Sequence, residues 1–426
     1  MTSIQADLLL LNAAQVVTCA SPDGPKRGAG LQDVGLIEEG AVAVRDELIV
    51  AVGKTAELTS TVNARQSLDL SGHALCPGLV DPHTHVVFGG DRVHEFEMRI
   101  RGASYMEIMA AGGGIVSTMR HTREASEAEL VAATRKRLDE MLALGTTAVE
   151  IKSGYGLDTA TELKMLRVIE QLDLSHPCTL MPTFLGAHTF PPEYKNDPDG
   201  YVDLVIDEMI PAVGGWYAQS HFPQQNRPLF IDVFCEDHAF DVAQSRRILG
   251  AGQAAGMAAK IHVDQFNSLG GTQMAVEIGA VTADHLDVTG DDGLQALANS
   301  DTISVPLPAA NFNLGHTHFA NGRGLINAGA ALALATDLNP GSAPCYSMPL
   351  VMTIACRYLR LLPAEALLAS TINAAYAIGM AQTIGSIEVG KQADLLLLKE
   401  ADYRHVAYFF GGNPVAKVMV KGQWVS

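Results

Sequence analysis

Hydrophobic positions along the chain fall into two textures. From residue 1 to about 75 they form short runs that alternate or cluster: Asp7 to Asn12, Gln15 to Cys19, Gly40 to Val44, Glu47 to Val52 and Ser67 to Leu70. Turn residues such as Ser21-Pro22-Asp23-Gly24-Pro25 separate them, which is how short strands read. The texture returns at the far end in Leu395 to Leu398, Val415 to Val420 and Gln423 to Val425. Strands at both ends around a different middle predict one small β-sandwich domain built from both termini, residues 1–75 with 385–426.

Between them, residues 76–384 alternate apolar runs with helical stretches, the βαβα pattern of a parallel sheet. Eight strands are expected: Leu79 to His85, Thr146 to Lys152, Thr179 to Ala187, Leu229 to Glu236, Ala258 to Val263, Ala280 to His285, Thr302 to Pro306 and Leu332 to Asp337. The run from Ala74 to Val80 reads as continuous buried strand. Good helix formers fill Glu124 to Leu144 and Asp158 to Leu172, and Ser126 with Glu129 has the spacing of a capping box. Eight such units suit an α/β fold, a distorted (β/α)8 (TIM) barrel, with a doubly wound sheet as the alternative.

Composition narrows the function more than the fold. Twenty-nine basic against 47 acidic residues give a net charge of −18, which argues against nucleic acid or an anionic membrane as partner. Six scattered cysteines without a CxxC pair suit reduced thiols. No signal-like or bilayer-spanning run stands out, so a cytoplasmic protein is expected, with a homodimer as the default assembly.

The chemistry begins at Pro77-Gly78-Leu79-Val80-Asp81-Pro82-His83-Thr84-His85. Residues i and i+2 of an extended segment point to one side, so His83 and His85 can offer two imidazoles to one metal ion. Ionisable groups then recur at the C-terminal strand ends, where a barrel keeps its active site: Lys152, His188, Glu236 with Asp237 and His238, His262 with Asp264 and Gln265, His285, and Asp337. Singly, each reads as a structural residue. Together they point to a metal-assisted hydrolase, because burying so many without a shared purpose costs several kcal/mol each, roughly.

With His262, His285 and Asp337, the His83-Thr-His85 motif resembles the metal-dependent amidohydrolase superfamily, over essentially the whole chain. Three further stretches, Asp91-Arg92, Lys152-Ser-Gly-Tyr155-Gly-Leu and Asp337-Leu-Asn339-Pro-Gly341-Ser342, together with Phe-Leu-Gly-Ala-His188, are similar to members that open an imidazolone ring in histidine degradation. The resemblance implies one zinc or iron ion per subunit on His83, His85, His262 and Asp337. A bridging lysine at the end of strand 4 is absent, which implies a single ion. It implies a small substrate carrying a carboxylate, 4-imidazolone-5-propanoate, hydrolysed at its cyclic amide to N-formimidoyl-L-glutamate. Asp337 would carry the water proton to the leaving nitrogen, and His285 would bond the water or polarise the carbonyl, a fifth metal ligand being its other reading. Arg92, Tyr155, His188, Gln265, Asn339, Gly341 and Ser342 would bind substrate. Gln265 stands where some members carry Glu, and an amide there can hydrogen-bond but cannot act as a base. Aminohydrolases of purine-like compounds share the metal motif but have no evident use for Arg92 and Tyr155 together.

Two lesser motifs stand apart. Gly112-Gly113-Gly114 lacks the Lys and Ser/Thr of a P-loop and reads as a loop over the barrel mouth, and His316-Thr-His318 reads as a surface loop or lid.

Overall fold

The apolar run from Ala74 to Val80 is cut in two by Gly78. A Cβ on that residue would stand 2.2 Å from Thr147 Oγ1, so only glycine lets the chain pass there from one sheet to another. The expected single strand is therefore two, and they belong to different sheets. The computed structural model describes residues 3–103, 107–108 and 112–425, so the outermost terminal positions of the sandwich assignment, 1–2 and 426, lie outside the described residues.

The first sheet takes strands from both ends of the chain. It contains β1 (Ile4–Val17), β2 (Leu36–Arg45), β3 (Leu48–Lys54), β4 (Val62–Asp69) and β5 (Ala74–Pro77). The late strands β13 (Leu395–Leu398), β14 (Val415–Val420) and β15 (Gln423–Trp424) join it in the order β15-β14-β13-β5-β1-β2-β3, with β4 beside β1. Two expected strands near the N-terminus have fused. β1 runs straight through, with Asn12 in the left-handed region (φ 58°) and a register shift between Leu10 and Ala13, so a bulge stands where a turn was expected. Alternation sorts the side chains. Leu395 and Leu397 enter the core of this sheet, whereas Leu396 and Leu398 enter the large core of the α/β part. A helix at Thr55–Thr61, which the strand pattern did not anticipate, covers one face through Leu58.

The second sheet is wholly parallel: β6 (Leu79–Thr84), β7 (Thr146–Lys152), β8 (Thr179–Ala187), β9 (Phe230–Cys235), β10 (Ala258–Val263), β11 (Thr282–His285) and β12 (Ile303–Val305), neighbours in sequence order. The eighth expected strand forms no ladder. Residues 331–338 instead touch both edges, through bridges Ser304–Leu332 and Thr84–Leu338 and the bonds Ala333 N to Ser304 O (2.9 Å) and His85 N to Leu338 O (2.9 Å). The segment bends because Thr336 turns inward: its amide and hydroxyl donate to Asp81, Leu338 N donates to Thr336 Oγ1, and Asp337 sits at φ 55°.

Helices return the chain between strands. The helix expected over Glu124 to Leu144 is Glu127–Ala143, preceded by a separate helix at Ile115–Glu124, and it opens on the anticipated capping box: Glu129 N donates to Ser126 Oγ and Ser126 N donates to Glu129. Asp158 caps Thr159–Asp173 by accepting from Thr161 N. All six cysteines are unpaired, and no helix among the described residues is long and apolar enough to cross a membrane.

Candidate metal centre and its cavity

At the C-terminal ends of the parallel strands, the ligating nitrogens of His83, His85 and His262 lie within 4.8 Å of one another, and all three residues are buried. His83 Nε2 is 3.3 Å and His262 Nε2 is 3.4 Å from His85 Nε2. Asp337 Oδ1 stands 3.6 Å from His83 Nε2 and 3.5 Å from His85 Nε2. Neighbouring ligands on a tetrahedral ion with bonds of about 2.0–2.1 Å stand roughly 3.3–3.4 Å apart, so the spacing matches.

The tautomers agree with the spacing. His83 Nδ1 donates to Asp284 Oδ2 at 2.6 Å, and His262 Nδ1 donates to Asp232 Oδ1 at 3.0 Å. Each ring thus carries its hydrogen on Nδ1 and turns a lone pair at Nε2 toward the common point. Burial, then the charges of Lys152 and the neighbouring imidazoles, holds His83 well below the ordinary histidine range; burial and His188 do the same to His85. Imidazole nitrogens and a carboxylate crowded about one point repel unless a cation sits between them, and the donor set fits a zinc- or iron-sized ion.

Beneath the ligands lies a buried charge network. Lys152 Nζ donates to Asp232 Oδ2 (2.7 Å) and Glu150 Oε1 (2.8 Å) and is 3.8 Å from Asp284 Oδ2. Burial opposes the ammonium, but Asp232, Glu150 and Asp284 together hold its pKa above the usual lysine value. Asp232 is held down against its own burial by His262 and Lys152. Lys152 therefore sits in buried salt bridges and offsets part of the charge of the carboxylates that fix the imidazole tautomers. Asp232 and Asp284 were missed as site residues. A signal was present, since Asp232 is a lone carboxylate inside the apolar run Phe230-Ile231-Asp232-Val233 and Asp284 directly precedes the strand-end His285.

Above the ligands opens a cavity of about 830 Å³. Arg92, Tyr155, His188, Gln265, His285, Asp337, Asn339 and Ser342 all line it. His188 stacks on His85 (centroids 4.9 Å apart, planes at 13°), and its Nδ1 donates to Gly154 O at 3.0 Å. Burial, followed by the charge of His262, lowers the His188 pKa to about 3, leaving Nε2 a free acceptor. Tyr155 lies 5.3 Å from His188, ring to ring. His285 is the last residue of β11, next to Asp284, but lines the cavity, at φ 77°, and lies outside the group of converging nitrogens. Gln265 makes no hydrogen bond among the described residues.

Two expected contacts look different in place. Asn339 accepts from Gly341 N and Ser342 N (2.8 Å each) and donates to Asp337 O (2.7 Å) and Ser342 Oγ (2.8 Å). Both amide hydrogens and both lone pairs are thus engaged within its own loop, and its side chain shapes the cavity wall. Arg92 is no free cation: its Nε (2.9 Å) and Nη2 (2.6 Å) both donate to Glu95 Oε2. Gly341 does not line the cavity but lies against this guanidinium, where a Cβ would come within 2.1 Å of Nη1. Glu236 and Asp264 serve loops instead: Glu236 accepts from Phe266 N and Asn267, and Asp264 from Thr272 and Thr289. His238 and His316 border the cavity mouth; nothing ties the Gly112–Gly114 turn to phosphate, and Gly114 N donates to Glu95.

A parallel sheet with three imidazoles and an aspartate converging at its C-terminal edge defines a metal-dependent amidohydrolase, and residues 238–425 match the amidohydrolase family. In fold the chain is similar to a zinc-bound adenosine deaminase from Xanthomonas campestris (TM-score 0.73, 20% identity, 99% of this chain and 93% of that one). Within that class the match is much closer. Residues 40–61 match the bacterial imidazolonepropionase-like composite domain. The imidazolonepropionase of Chloroflexus aggregans is 54% identical over 419 residues, 98% of both chains, and that of Herpetosiphon aurantiacus is 54% identical over 420 residues, 99% of this chain and 97% of its own. The chain belongs to the imidazolonepropionase family.

Proposed function

We infer that this protein hydrolyses the ring amide of 4-imidazolone-5-propanoate to N-formimidoyl-L-glutamate. The observation that carries the reading is one cavity with His83, His85, His262 and Asp337 around a single point and Arg92 on its wall. A divalent ion held by those four residues, zinc or iron and one per subunit, would polarise the ring carbonyl and acidify water.

The chain's own groups do the rest. Water adds to the carbonyl carbon, the C–N bond of the tetrahedral oxyanion breaks, and the nitrogen needs a proton as it leaves. Asp337, 3.5 Å from His85 Nε2 and on the cavity wall, is placed to take the water proton and return it to the leaving nitrogen. His285, neutral through burial and the neighbouring His262, hydrogen-bonds the attacking water or the carbonyl oxygen. Arg92 binds the propionate through its free guanidinium edge, while Tyr155, His188 and Gln265 orient the ring. Ser342 Oγ, 3.4 Å from Asp337 Oδ2, steadies the carboxylate, and Gly341 leaves room for Arg92.

The same reading takes residues 331–338 as the eighth strand of a distorted barrel spanning 76–384, and the terminal sheet, 1–75 with 385–426, as a small sandwich domain. A cytoplasmic homodimer belongs to it too, and sedimentation would test the dimer. The activity is tested by following loss of the imidazolone ultraviolet absorbance with metal-replete enzyme. Absence of turnover, with hydrolysis of an aminopurine instead, would overturn the assignment.

A further inference from the structure

Glu95 is a buried carboxylate outside both the metal site and the cavity wall, with a side chain only 6% exposed. Its Oε2 takes both Arg92 donors and lies 3.5 Å from Arg99 Nη2, and its Oε1 accepts from Gly114 N at 2.9 Å. Arg99 Nη1 in turn donates to Gly341 O at 2.8 Å. One carboxylate thus ties the start of the Val93–Ile100 helix, the turn before the Ile115–Glu124 helix and, through two arginines that line the cavity, the 339–342 loop.

We propose that Glu95 is a positioning residue that aims the Arg92 guanidinium at the substrate tail and sets the charge of this subsite to match one carboxylate. The geometry carries both halves. A carboxylate on the Nε/Nη2 edge fixes the plane of the fork, and among the described residues the Nη1 hydrogens and one Nη2 hydrogen keep no other partner. Two arginines against one glutamate leave a single positive charge, the complement of a monoanionic propionate. Without Glu95, the long Arg92 side chain regains rotamer freedom that substrate binding must then remove.

The proposal rests on the ring-opening reading, and steady-state kinetics separates the two. Glu95→Gln keeps shape but loses the charge, and should raise KM for imidazolonepropanoate roughly tenfold or more with kcat within about threefold. On an imidazolone lacking the propionate it should behave as the unaltered protein does. In an Arg92→Ala background, Glu95→Gln should change kcat/KM less than about twofold, because the two residues act as a unit. Glu95→Asp, which keeps the charge but withdraws it by one methylene, should show the same KM-selective loss and guards against a Glu95→Gln protein that does not fold. Unchanged KM in both variants, equal losses on the tailless compound, or full additivity with Arg92→Ala would overturn the role of Glu95. An unaltered enzyme that opens no imidazolone ring would instead overturn the function itself.

Discussion

Asp232→Asn tests whether the buried network holds the metal ligands. The amide has two orientations, and both fail. With its oxygen toward His262, its NH2 faces the Lys152 ammonium at the place of a 2.7 Å contact. Flipped, it presents NH2 to His262 Nδ1 and drives the ring hydrogen to Nε2, where it blocks the lone pair aimed at the ion. Breaking a fully buried ion pair costs about 3–5 kcal/mol, and Lys152 keeps Glu150 at 2.8 Å, so roughly 2–3 kcal/mol of folding stability should go. Losing a carboxylate that orients a ligand weakens metal binding about 10–100-fold, or roughly 1.4–2.7 kcal/mol. Purified protein would be titrated with a chelator while bound metal is counted by mass spectrometry, and denaturant unfolding would be followed with and without metal. Wild-type chelator resistance and an unchanged unfolding midpoint would refute the argument that Asp232 fixes the tautomer of His262.

Three further outcomes are expected. Asp337→Asn removes the proton carrier and one ligand charge, so turnover should fall by about 100-fold or more even at saturating metal; a variant keeping a tenth of the activity would clear Asp337 of the proton transfer. Gly341→Ala places a methyl 2.1 Å from Arg92 Nη1, so KM should rise more than kcat falls, and unchanged saturation curves would show that the guanidinium can move aside freely. Burial raises the Asp394 carboxyl to about 6 from an ordinary 3.8, so the folded protein holds a proton that the unfolded chain releases. That contribution is intact below pH 4 and is lost as pH rises through 6, up to about 3 kcal/mol. Asp394→Asn should therefore gain stability relative to the unaltered protein between pH 4 and 7 in urea unfolding, and a pH-independent difference would contradict the shift.

The parallel strands were legible because each is a mainly apolar run and most are closed or followed by a polar residue, and seven of the eight appear within a few residues of their expected places. The eighth was legible as an element but not in its form. Thr336 and Asp337 give its backbone a side-chain alternative to a ladder, which apolar periodicity cannot register. Ala74 to Val80 misled for a related reason: a glycine required by a close neighbour, Thr147, looks in sequence like any other small residue. In the site, His83 and His85 announced themselves by spacing. Arg92 pointed toward a carboxylate, but its partner Glu95 hid in an ordinary helical i, i+3 pattern, and Asp232 and Asp284 hid inside strands they do not end.

The segment that joins β12 to β6 has a further meaning. It carries Asp337, whose amide donates to the backbone oxygen of His83 while its carboxylate faces the imidazoles of His83 and His85. The proposed fourth ligand therefore lies on the piece of chain that joins the two edges of the sheet, attached there by isolated bridges rather than a continuous ladder. An ion held by the proposed ligands would draw on the same few contacts, so that binding it would act as a clasp and select the joined edges over edges parted at this seam.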